Sequence, residues 1–143
     1  MNFIVKNTVH SPDGKMFAER IEKENYSDIF NPGDVVGINI NGKLTKLYSK
    51  SIHFGIITDV NSPAVIAHCN LNDSNSAIVV FTGRAEANTI GEVGSFLVPF
   101  QTPNDYIVCC SVKESDMSLS QYMKSIGHVI SVSGNGVYII VKH

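Results

Sequence analysis

Apolar residues recur in this chain mostly at every second position, in short runs bounded by Gly, Pro, Asn and Asp. The clearest run is Asn31 to Ile40, NPGDVVGINI. Its Pro-Gly turn places Asp34 at the exit, and Val35, Val36, Ile38 and Ile40 follow around Gly37 at strand spacing. Asn41-Gly42 supplies two residues that tolerate positive φ, which predicts a type I′ turn, and Lys43 to Leu47 returns with alternating character. The unit reads as a β-hairpin. A weaker copy lies downstream: Glu92 to Val98 repeats the turn and strand, and Ser125 to Ile130 repeats the pattern of His53 to Ile57. Two related β-halves are expected.

Around these units the punctuation continues. Phe3-Ile4-Val5 reads as an outer strand ended by the turn Ser11-Pro12-Asp13-Gly14, so residues 1–14 form an arm and residues 15–143 a single domain. Lys15 to Asn25 fits both helix, with Phe17 and Ile21 four apart, and strand alternation. His53 to Val60 predicts a buried strand in which Gly55 admits a neighbouring backbone, and Ala64 to Ala67 a brief one. Cys69 to Ser76 is a polar loop rich in residues that bond their own backbone. Ala77 to Phe81 and the alternating Ala85, Ala87, Thr89 imply a strand pair separated at Thr82-Gly83-Arg84. Pro99 and Pro103 lack ladder donors and put the stretch after Ser95 at an edge or corner, ahead of a strand from Tyr106 to Cys110. Helix competes only over Ser115 to Lys124, where Asp116 or Ser118 serves as cap and Leu119, Tyr122 and Met123 share a face. Val129 to Val132, the turn Gly134-Asn135-Gly136 and Val137 to Val141 close the chain as a second hairpin. About ten short strands with regular turns predict an all-β barrel or sandwich with at most one short helix. The positions expected to shape it are Gly33, Asp34, Asn41, Gly42, Gly55, Gly83, Gly94, Gly127, Asn135 and Gly136, with Gly55 and Gly127 where strands approach closely.

At 143 residues and 43% hydrophobic content the chain suits one domain with a real core. Its net charge of -2 and scattered Lys and Arg offer a phosphate backbone no basic track, so no nucleic-acid partner is expected. The longest apolar runs are strand-sized, well below the ~20 residues of a spanning helix, and the start MNFIVKNTVH has no secretory pattern. No membrane partner is expected, and synthesis is expected in a reducing cytoplasm. Cys109 and Cys110 face opposite ways on a strand and, with Cys69, read as buried free thiols. GxxxxGK[ST], GxSxG and CxxC are all missing from the sequence, and His68 beside Cys69 has no second ligand pair. Neither cofactor nor metal is expected. His53 and His128 each stand near a glycine of the repeat, which reads as shared strand geometry rather than a paired site.

Taken together, Phe17-Ala18-Glu19, Asn31 to Val36, Gly42, Phe54 to Ile57, Thr82-Gly83-Arg84, Gly91 to Val98, Ser125-Ile126-Gly127 and Gly136 to Val141 resemble one family. It is the C-terminal peptidase G2, or intramolecular chaperone autoprocessing, domain of phage tail fibres, tailspikes and neck appendages; related head-fibre and capsid decoration proteins share the pattern. The resemblance covers about residues 15–143 and rests on the order and spacing of these motifs. It implies a virion location, assembly as a homotrimer and contacts with other virion proteins. Self-cutting members cleave before an Asp in a Ser-Asp-Tyr-Ala-Glu pattern, with the Glu assisting. Here Lys15-Met16-Phe17-Ala18-Glu19 occupies that place: Glu19 matches, while Lys15 and Met16 replace the hydroxyl and the carboxylate. A protonated Lys is a poor substitute for an attacking oxygen. A structural protein without self-cleavage is therefore expected, with Glu19 pairing to a Lys or Arg; the alternative is a self-cleaving chaperone using Glu19.

Overall fold

The computed structural model describes residues 4–5, 8–9, 16–59, 65–66, 74–134 and 136–142. Over these residues alternation prevails and the protein is all-β. Strands β1 (Ile4–Val5) and β2 (Thr8–Val9) form their own two-stranded ladder. The remaining strands form one curled sheet: β3 (Met16–Glu22), β4 (Val35–Ile38), β5 (Leu44–Thr45), β6 (His53–Thr58), β7 (Val65–Ile66), β8 (Ser76–Ala87), β9 (Phe96–Gln101), β10 (Ile107–Val112), β11 (Gly127–Ser133) and β12 (Gly136–Val141). The expected short helix is α1 (Leu119–Lys124). Ser118 caps it, its hydroxyl accepting from the Gln121 amide at 3.1 Å while its own amide donates to Gln121 Oε1 at 2.9 Å.

Along the sheet the order is β5-β4-β6-β8-β12-β11-β9-β10, so each half reads the same way outward from the β8–β12 pair. The halves also share register. Gly33 (φ +91°) and Gly94 (φ +89°) take the left-handed conformation that lets each chain corner into its strand. Gly33 N–H donates to Ile57 O at 2.7 Å and Gly94 N–H to Val129 O at 2.9 Å. In return Ile57 N–H donates to Asp34 O and Val129 N–H to Ser95 O, both at 2.9 Å. Val36 then pairs with Gly55 as Leu97 pairs with Gly127, and Ile56 with Val80 as His128 with Ile140. The repeat is real, but it sets His53 against Ser125 and His128 against Ile56, so the two histidines are not equivalents.

Several elements differ from expectation. The segment after Lys15 is strand, paired along β8 from Met16 to Glu22. The predicted pair around Gly83 is one twelve-residue strand, β8. A bulge opposite Phe17 and Ala18 leaves Phe81 unmatched, and Gly83 (φ +103°) lets the strand bend without ending. Asn41 keeps a negative φ; only Gly42 (φ +75°) is left-handed. Gly42 N–H donates to Asn39 O at 2.9 Å and Asn39 N–H to Lys43 O at 2.8 Å, so the hairpin turns at residues 39–42 with a glycine bulge rather than a type I′ turn. Ile40 is consequently in the turn, 81% exposed, not in the strand. Gly55, Gly83, Gly127 and Gly136 lie inside strands rather than in turns, and Asn135 lies outside the described residues. A Cβ on Gly55 would fall 2.6 Å from Val79 Cγ1, the expected close approach. Pro99 sits where β9 has β10 on one side and no longer pairs with β11, so its missing donor leaves no gap in the ladder.

Two apolar clusters form the core. One gathers Ile56, Val80, Ala85, Leu97, Val129 and Ile139 inside the curl. The other places Ile21, Val36, Leu44, Ile57 and Val79 on the opposite face of the first half, under Phe30. Strand β8 therefore buries both faces through Ile78, Val79 and Val80, then alternates with Ala85 and Ala87 inward and Arg84 and Glu86 outward. Burying each such aliphatic contributes about 1.5–3 kcal/mol. The exposed ion pairs Lys43–Glu22 (3.6 Å) and Lys113–Glu92 (3.8 Å) contribute about 0–1 kcal/mol each, so burial decides the fold.

Candidate functional site

The curl brings the two ends of the sheet together at a clasp. Leu47 and Tyr106 form a single antiparallel bridge, and Tyr48 N–H donates to Asp105 O at 2.7 Å. The turn Thr102-Pro103-Asn104-Asp105 holds Asp105 at φ +65°, a strained conformation for a side chain-bearing residue. Its carboxylate accepts from the Ser49 amide at 2.9 Å, from the Ser49 hydroxyl and from Gln101 Nε2 at 2.8 Å. The Ser49 hydroxyl foremost, then Gln101, holds the carboxyl below its ordinary pKa. Its contribution is therefore complete above the unfolded value and fades as pH falls through the folded one. Asp105→Asn should melt below the parent at pH 7, with the gap closing as pH drops below about 4; a gap independent of pH in thermal melts would show that the charge does not matter there.

Beside the clasp a cleft of about 1030 Å³ opens between the 24–34 segment, β4, β5 and β10. Lys50 in its wall pairs with Glu24 at 3.3 Å, and Lys46 lies 5.3 Å from the Phe30 ring centre. Asn88 buttresses the cleft floor: its amide N–H donates to Gly33 O at 2.9 Å and its Nδ2 to Pro32 O at 2.6 Å. Asp34 accepts from the Asn31 amide at 2.9 Å, the backbone role its place after the turn suggests. Cys109, at the inner margin, packs against the core, and burial pushes its thiol up to about 12, an inert state for a nucleophile. Its neighbour Cys110 is exposed, contrary to the expectation of a buried thiol.

Glu19 lies on β3 opposite Val79, two residues before buried Ile21 and on the same side of the strand. It is half-buried and has no hydrogen bond or ion pair among the described residues, so the expected Lys or Arg partner is not seen. Lys15, His68 and Cys69 lie outside the described residues. Among the described residues no three His, Cys, Asp or Glu side chains gather where they would hold a metal, and no helix is long and apolar enough to cross a membrane.

The second half carries a feature that alternation alone does not reveal. Outward positions of β9, β11, β12 and β8 align as Phe96, His128, Ile140 and Arg84 in one cross-strand row. The His128 ring stacks on Phe96 (4.4 Å between centres, 4° between planes) and is anchored by a 3.0 Å contact from Nε2 to Gly94 O. Tyr122 of α1 meets the same Phe96 edge-on at 5.8 Å. Tyr138 and Ile140 remain 40% and 47% exposed. These features define an all-β protein of two repeated half-sheets with a clasped seam and an aromatic outer face. No protein-family model, no curated protein and no solved structure matches the chain.

Proposed function

We propose that this chain is a non-enzymatic structural protein of a virion, a β-domain that assembles as a homotrimer and decorates or caps a capsid, fibre or appendage. The single observation carrying this reading is the ordered set of motifs across residues 15–143, whose glycine corners and strand glycines hold corresponding places in two half-sheets. Large apolar residues left outside, among them Ile140, Tyr138, Leu119 (77% exposed) and Met123 (71%), support a domain that works by contacting other proteins. A second reading, a self-cleaving assembly chaperone, is favoured by the half-buried carboxylate of Glu19, which has no partner among the described residues.

Intact-mass measurement and light scattering after prolonged incubation separate the two. The parent and Glu19→Gln should both stay full length, with the same trimeric mass. A parent that splits between Lys15 and Met16, beside a Glu19→Gln variant that does not, would establish self-cleavage instead.

A further inference from the structure

We infer that the outer face of the second half, built on Phe96, His128, Ile140 and Tyr138, is the surface through which one copy of this chain meets another. This rests on the homo-oligomer reading above and names its interface. The repeat supplies the argument. In the first half the positions equivalent to Phe96, His128 and Ile140 are Val35, Ile56 and Val80, and that face is covered: Ile56 is 0% and Val80 1% exposed, packed into the cluster inside the curl. In the second half nothing among the described residues covers the same face, yet its side chains have stayed apolar and aromatic instead of turning polar as a solvated sheet face does. The row is also pre-ordered, since stacking on Phe96 fixes His128 before any partner arrives.

Charge points to a second copy as the occupant. Arg84 and Glu86 border the row on β8, beside Ile140 and Tyr138, and neither has a hydrogen bond or ion pair among the described residues. A ring of copies sets Arg84 of each against Glu86 of the next, so both charges find partners without any other protein.

The test is the mass in solution by light scattering, with far-UV circular dichroism to confirm folding. The parent should run at three times the 15.6 kDa chain mass, and Ile140→Glu should fall to one. Arg84→Glu and Glu86→Arg should each weaken assembly at least tenfold, and the double reversal should restore it, a recovery that no folding defect would mimic. A trimeric parent whose Ile140→Glu and charge variants also stay trimeric would place the interface elsewhere and overturn this inference while the oligomer reading stands. A parent that is monomeric would overturn both.

Discussion

Gly127→Ala should destabilise the protein by about 3 kcal/mol in chemical denaturation. The added Cβ would intrude on the backbone carbonyl oxygen of Ile140 and come within 3.0 Å of Ile139 Cδ1. A carbonyl fixed in the β11–β12 ladder cannot rotate away as a side chain can, so the strands must separate at the pair that also joins β11 to Leu97 of β9. Gly94 provides the contrast: it needs its glycine for a φ of +89°, but a Cβ added there would meet nothing within 4 Å. Gly94→Ala should therefore cost only about 1 kcal/mol, the strain of the left-handed conformation. Equal losses for the two variants would show that close backbone approach is not what requires glycine at position 127.

Lys23→Met should cost about 2 kcal/mol and lower the melting temperature by roughly 5–10 °C. Lys23 is only 9% exposed, and its ammonium donates to Asp28 O at 2.8 Å and Ser74 O at 3.1 Å while lying 6.0 Å from the Phe30 ring centre. It thereby ties the 24–34 segment, which covers the outer apolar cluster, to the turn ahead of β8. Methionine fills the same volume and leaves both carbonyls without a charged donor. A variant that melts with the parent would mean that packing of the stem, not the ammonium, holds the segment.

How legible these features are in the sequence depends on the range of the interactions behind them. The corners at Gly33 and Gly94 and the strands that follow are local matters of φ and alternation, and the repeat can be read from them. The Ser118 cap likewise depends on a partner three residues away. Strand β8 is misjudged from sequence because Gly83 between Thr82 and Arg84 looks like a break, whereas pairing with β3 on one side and β12 on the other carries the chain through it. Nothing local singles out Asp105, since its key partner Ser49 stands 56 residues earlier and Thr-Pro-Asn-Asp reads only as a turn. Alternation assigns residues to two faces of each strand, but it has no means of telling which face another part of the molecule covers; hence the aromatic row over β11 and β12 emerges only from the fold.

The repeated half-sheets also set an order of events for folding. Within each half every pairing closes inside roughly fifty residues, from Gly33 to Val80 and from Gly94 to Val141, so each loses only a modest loop entropy as it forms. The bridge from Leu47 to Tyr106 belongs to neither half and gains its neighbours only when both are in place. Closure of the seam is thus the last step of folding, and the first to reverse when the protein opens.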